Sequence, residues 1–157
     1  MRLSVWPSSY QTWSEVLASA RHAETTGWDG VWIADHFMGM PGGPFPTETP
    51  TLEAGSLVAA LAGVTERVRI GTLVYGNTYR HPAVVANMAA TVDHVSGGRF
   101  VLGLGAGWQE NEHEAYGIEL PPVGERVSRF SEAVQVVRSL LTEPVTTFDG
   151  KHYRLAE

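Results

Sequence analysis

The sequence contains no cysteine. That absence excludes disulfides, thiolate nucleophiles and zinc–thiolate centres. It contains one lysine, Lys151, and its other basic residues are arginines. Acidic residues outnumber basic ones by 17 to 11, for a formal net charge of -6. No basic stripe offsets that charge, so nucleic acid is not an expected partner. No uninterrupted run of about twenty apolar residues occurs, so no stretch reads as a membrane span. HExxH and comparable metal-ligand spacings are missing, and metal chemistry is not expected. The GxSxG elbow of a serine hydrolase is missing too. Met1 and Arg2 lead straight into a strand-like segment rather than a signal peptide, which makes a cytoplasmic protein the expectation.

What is there reads as one α/β domain over residues 1–157. Hydrophobic residues at 43% and charged residues at 18% give an ordinary globular composition with enough material for a core. Residues 3–6 form a short strand candidate. Thr12 and Glu15 fit a capping box, and Val16, Leu17, Ala20 and Ala23 make one helical face that Gly27 terminates. A second strand covers 30–36. Residues 38–50, with three glycines and four prolines, cannot be regular structure. So long a loop in a compact domain is usually functional. A helix over 52–62 precedes a third strand over 68–75. Pro82 opens the next helix at its favoured first position, and Gly97-Gly98 closes it. The fourth strand covers 100–108 and a short helix 109–116. Val127, Phe130, Val134, Val137 and Leu141 mark a helix over 125–141. Residues 145–155 read as a hairpin turning at Asp149-Gly150, a type I′ pair.

Strands therefore start near residues 2, 30, 68 and 99, in units of roughly thirty residues, the size of a βα crossover unit. Regular units without a reversal fit a barrel better than a doubly wound sheet. A complete (β/α)₈ barrel needs about 250 residues, so the expected fold is a parallel (βα)4 half of a TIM barrel with a C-terminal β-hairpin.

In such folds chemistry sits just beyond the carboxyl ends of the strands. Residues 31–36, VWIADH, run from a doubly buried strand directly into Asp35 and His36. Two readings stand: a capping aspartate with a solvated histidine, or a functional pair at the strand end. Gly103, Gly105 and Gly107 resemble a dinucleotide fingerprint, but the required helix offset and downstream acid are missing. They also suit a flat ring approaching the backbone, or simply a narrow core. Gly76 reads as a bulge or a left-handed residue. Arg80 reads as a loop charge and His81 as a stand-in N-cap, with functional roles left open for both. His94 complements a helix dipole, and His113, between Glu112 and Glu114, reads as part of a solvated helix face.

Five segments together resemble the bacterial luciferase-like flavin and deazaflavin oxidoreductases. They are GWDGVWIADHF (27–37), IGTLVYGNTYRHPAVVA (70–86), TVDHVSGGRFVLGLGAGWQENEHEAYG (91–117), GERVSRFSEAVQVVRSLL (124–141) and FDGKHYRL (148–155). They span nearly the whole chain in the family's order. The GWQENEHEAYG stretch is closest to the branch that uses coenzyme F420. The resemblance implies an oxidoreductase passing a hydride between F420 and a small organic substrate, or alternatively an FMN-dependent monooxygenase. It implies that Asp35 hydrogen-bonds the ring and that His36 sits by its reactive carbon as the catalytic residue. It implies that Leu73 and Val74 form a bulge with a non-prolyl cis peptide supporting the ring. Gly76, Ala106, Gly107 and Asn111 match cofactor-binding positions. Trp108 replaces the glutamate of the family's sugar-phosphate dehydrogenases, which argues against a sugar phosphate. The later strands of a complete barrel are absent. An interior face drawing on Val31, Ile33, Leu73, Leu102 and Leu104 or their neighbours, and unpaired edge strands, lead us to expect a homodimer or a separate C-terminal half as partner. A half-barrel inactive alone, a folding module needing a second chain, is the reading from another class.

Overall fold

The computed structural model describes residues 1–157. In chain order its elements are β1 (Ser4–Val5), α1 (Trp13–Thr25), β2 (Gly30–Ile33), α2 (Ala54–Val64), β3 (Arg69–Thr72), β4 (Tyr75–Gly76), α3 (Pro82–Ser96), β5 (Phe100–Val101), β6 (Leu104–Gly105), α4 (Glu110–Tyr116), α5 (Val123–Thr142), β7 (Phe148–Asp149) and β8 (Arg154–Leu155). They fall into two compact units. One comprises Met1–Tyr75 and Thr91–Gly103, the other Gly76–Ala90 and Leu104–Glu157. No helix is long and apolar enough to cross a membrane.

The first unit holds a parallel sheet in the order β1-β2-β3-β5. Val31 pairs with Ile70 and Ile33 with Thr72, so these four side chains share one face. Val31, Ile33 and Ile70 are fully buried, as are Val16, Ala20 and Ala23 of α1 and Val58 and Leu61 of α2. This is the core, worth roughly 1.5–3 kcal/mol for each large side chain. Val31 and Ile33 thus lie under the helices and not on the face expected to line a barrel. Alternation puts Trp32 and its register partner Gly71 on that other face instead. A Cβ at Gly71 would come within 2.0 Å of the Trp32 ring and 2.7 Å of the Val101 carbonyl oxygen, so the position has room only for glycine.

The helix ends follow the sequence signals. Thr12 and Glu15 form the capping box of α1, and Gly27 follows its end at φ 82°. Glu53 caps α2 by accepting from the Gly55 and Ser56 amides at 2.8 and 2.6 Å. Arg99 donates to the carbonyls of Ala62, Thr65, Val68 and Ser96, tying together chain segments that carry no side-chain signal of their own.

The third and fourth strands are interrupted rather than continuous. The Thr72 hydroxyl donates to the Gly103 carbonyl at 2.8 Å and accepts from the Gly103 amide at 3.0 Å, taking the place of a backbone partner. A Cβ at Gly103 would lie 2.1 Å from the Thr72 carbonyl oxygen, so this close approach also requires glycine. The Leu73–Val74 peptide is cis. Pairing resumes where the Tyr75 amide donates to Gly103 and the Asn77 amide to Gly105, both at 2.8 Å.

The second unit contains β6, α4, α5 and the antiparallel hairpin β7–β8. Its turn is not the expected two-residue type I′ turn. Asp149 pairs with Arg154, leaving four residues, 150–153, in the loop. Gly150 has no positive φ. The reason is Glu132 of α5, whose carboxylate accepts from the backbone amides of Lys151, His152 and Tyr153 at 3.0, 2.9 and 3.2 Å. Along α5 the buried stripe is Ala133, Val136 and Val137. Val127, Val134 and Leu141 of the expected face are exposed.

Candidate functional site

In the first unit, β2 ends at Ile33 and the chain delivers Asp35 and His36 just past it. Asp35 is 3% exposed and His36 is half-buried. Leu73 and Val74 follow the end of the neighbouring strand β3, where the Leu73 amide donates to the Ile33 carbonyl at 2.8 Å. The carboxyl ends of β2 and β3 therefore sit side by side, one bringing a buried carboxylate and a histidine, the other two apolar side chains. Leu73 and Val74 are 47% and 40% exposed. Such an arrangement suits a flat, largely apolar ring with a polar edge.

Gly76, Ala106, Gly107 and Asn111 belong to the second unit. Gly76 is not left-handed. It is needed because a Cβ there would lie 2.6 Å from the Tyr79 ring. Gly107 is left-handed at φ 84°, and a Cβ on it would lie 2.5 Å from Thr78 Oγ1. Its carbonyl accepts from Arg126 Nη1 at 2.6 Å. Ala106 and Asn111 are partly buried, whereas Trp108 is exposed.

A cavity of about 260 Å³ lies in this unit, lined by Asn77, Arg80, His81, Ala106, Arg126 and Arg129 among others. His81 caps α3 through Nδ1, which accepts from the Ala83 amide at 3.2 Å, as its position before Pro82 suggested. Arg129 donates to Glu125 at 2.7 Å and pairs with Glu119 at 3.2 Å. The Arg129 guanidinium holds the Glu125 carboxyl below the usual carboxylate range. Asn77 Nδ2 donates to the Tyr153 hydroxyl at 3.1 Å. Asn77 Oδ1 and Arg126 Nε are buried with no hydrogen-bond partner, one acceptor and one donor left over for a polar group.

Two residues read as solvated are in fact buried. Glu112 is 0% and His113 2% exposed. His113 Nδ1 meets the Gln109 carbonyl at 2.6 Å and Nε2 meets the Thr78 hydroxyl at 2.7 Å. A carbonyl only accepts, so Nδ1 carries a proton, and Nε2 shares a hydrogen bond with the Thr78 hydroxyl. The Tyr79 hydroxyl donates to Glu112. The flanking acids hid this from a sequence reading, because ENEHEAY has no apolar stripe. The one available signal was Gly117, which ends α4 in the left-handed conformation and fixes its register.

The sequence profile of the luciferase-like monooxygenases matches residues 1–157. The chain belongs to that family. It is 37% identical over 146 residues to the F420-dependent glucose-6-phosphate dehydrogenase of Amycolatopsis mediterranei (strain U-32), a match covering 91% of this chain and 42% of that protein. Among solved structures, an F420-dependent secondary alcohol dehydrogenase in complex with an F420-acetone adduct is similar with a TM-score of 0.84 and 29% identity, over 98% of this chain and 46% of that one. The oxygenating constituent of 3,6-diketocamphane monooxygenase from the CAM plasmid of Pseudomonas putida, in complex with FMN, shares the fold with a TM-score of 0.78 and 21% identity, over 99% and 43%. The chain thus spans less than half the length of these relatives and corresponds to half of a luciferase-like TIM barrel.

Proposed function

We propose that this chain is the N-terminal half of an F420-dependent oxidoreductase that transfers a hydride between the deazaflavin and a small organic substrate. The observation that carries this reading is the buried Asp35 and half-buried His36 at the end of β2, beside the exposed Leu73 and Val74. The similarity to F420-dependent dehydrogenases across almost the whole chain supports it. Leu73 and Val74 would carry the ring face and Asp35 its polar edge. Gly76, Ala106, Gly107 and Asn111 are the proposed contacts in the second unit. Bound F420 supplies a two-electron hydride carrier. His36 then holds or delivers the proton that accompanies hydride transfer at the substrate oxygen. Trp108 offers no carboxylate at the position where the family's sugar-phosphate dehydrogenases have one, so the proposed substrate is a small alcohol or carbonyl compound and not a sugar phosphate.

The FMN-dependent monooxygenase is the second reading, favoured by the shared fold with an FMN-bound monooxygenase. Absorbance titration of the chain with F420 and with FMN, followed by oxygen uptake with the reduced forms, separates the two. Binding of F420 without oxygen uptake supports the first reading; oxygen uptake with reduced FMN overturns it. The proposed partner is a second copy of the chain or a separate C-terminal half. A chain that binds neither cofactor in any assembly would be the inactive module.

A further inference from the structure

We propose that Glu112 and His113 of α4, with Arg126 of α5, are positioning residues that set the backbone at Gly76 and Gly107. This rests on the reading of those two glycines as cofactor contacts. All the residues lie in the second unit.

Burying a carboxylate and an imidazole of a seven-residue helix carries a cost unless each is matched. Both are matched, and by particular partners. Glu112 accepts from the Tyr79 hydroxyl, and the Tyr79 ring is the group a Cβ at Gly76 would strike. His113 Nε2 is hydrogen-bonded to the Thr78 hydroxyl, and that same hydroxyl is what a Cβ at Gly107 would strike. Each buried side chain therefore grips the residue packed against one of the two glycines. The Tyr79 and His113 rings lie 4.8 Å apart at 32°, which couples the two grips. Arg126 fixes Gly107 from the other side through its carbonyl. The Asn77 amide, between Gly76 and Thr78, pairs with the Gly105 carbonyl, so the two segments share one register. A network that served stability alone would have no reason to end on two positions where a Cβ would clash.

Two isosteric substitutions separate the grips. Thr78→Val removes the hydroxyl that His113 holds and keeps the bulk beside Gly107. Tyr79→Phe removes the hydroxyl that Glu112 holds and keeps the ring over Gly76. Amide hydrogen exchange on the ligand-free chain is the first readout. It should rise about tenfold, the effect of losing one hydrogen bond, around residues 105–108 in Thr78→Val and around 76–77 in Tyr79→Phe. The second readout is the F420 Kd of the folded fraction, which should weaken by a similar factor in both. Unchanged exchange at the glycines overturns the proposal. So does faster exchange with an unchanged Kd, since the network would then be structural only. A wild-type chain that binds neither F420 nor FMN overturns the cofactor reading and this inference with it. Exchange that still responds to the substitutions distinguishes that outcome from failure of the network.

Discussion

At the scale of single residues, Asp35 and His36 are adjacent in sequence but differ in exposure, which assigns them different work. On the proposed reading the buried carboxylate is the ligand-holding group and the half-buried imidazole the one that handles a proton. His36→Ala should lower turnover about 10²–10⁴-fold with a small change in cofactor Kd. Asp35→Ala should weaken cofactor binding instead. Titration and steady-state kinetics of both variants in the active assembly check this, and unchanged turnover in His36→Ala would remove its assigned role. Gly71 offers a test of the fold that needs no cofactor. Gly71→Ala pushes a methyl group into the Trp32 ring and should cost about 1–3 kcal/mol by urea unfolding. Pairing it with Trp32→Leu should recover part of that loss; an equally destabilised double variant would mean that the indole is not what excludes the methyl. The pairing of Trp32 with Gly71 was beyond the sequence, because nothing local distinguishes a glycine under a ring from one in a flexible strand. That Asp35 and His36 close an apolar strand was legible from the run before them, although β2 stops at Ile33 and not at the expected residue 36. The burial of Glu112-His113 was not, because Tyr79 and Thr78, which they hold, lie more than thirty residues away in the chain.

At the scale of elements, boundaries set by local chemistry were readable and those set by distant side chains were not. The helix starts at Thr12 and Pro82 and the glycine stops at Gly27 and Gly97 all rest on neighbours in sequence. The breaks in the third and fourth strands rest on Thr72 reaching Gly103, and the hairpin turn rests on Glu132, about twenty residues upstream of the amides it binds. Glu132 also gives the hairpin a pH dependence. The His152 amide, with those of Lys151 and Tyr153, holds the Glu132 carboxyl below its ordinary value against opposing desolvation. A carboxyl whose pKa is lower in the folded state stabilises that state above its unfolded pKa, about 4.3, and loses the contribution as pH falls through the folded value. Exchange protection of the 148–155 amides should therefore be constant above about pH 5 and decline below about pH 4. Glu132→Gln should show weaker protection without that decline. A wild-type profile that stays flat in acid would mean that the three amides do not depend on the carboxylate.

At the scale of the whole molecule, the strands at the two ends of the four-stranded sheet, β1 and β5, are each two residues long. Short edges limit unwanted pairing but leave backbone groups unsatisfied by the sheet. Several large apolar side chains stay in water: Trp6 is 61% exposed, Trp108 57%, Val127 55% and Leu73 47%. Singly, such residues are normal. Along α5, however, Val123, Val127, Val134 and Leu141 are all exposed and recur at helical spacing, which makes a stripe and not a scatter. The buried core cannot absorb them, since α5 already turns Ala133, Val136 and Val137 inward. Covering the exposed set would recover roughly 1.5–3 kcal/mol per large side chain if complete, against the 5–15 kcal/mol typical of an entire domain. The expected outcome is self-association or capture of a C-terminal half, not a stable monomer. Light scattering at micromolar concentration, on the wild-type chain and on a Val127→Lys, Val134→Lys variant, checks this. A dimer that the charged variant disrupts assigns the stripe to the interface, and a dimer that survives it assigns the interface to other surfaces. A well-behaved wild-type monomer refutes the expectation altogether and means that exposed valines and tryptophans on this chain are tolerated as ordinary surface.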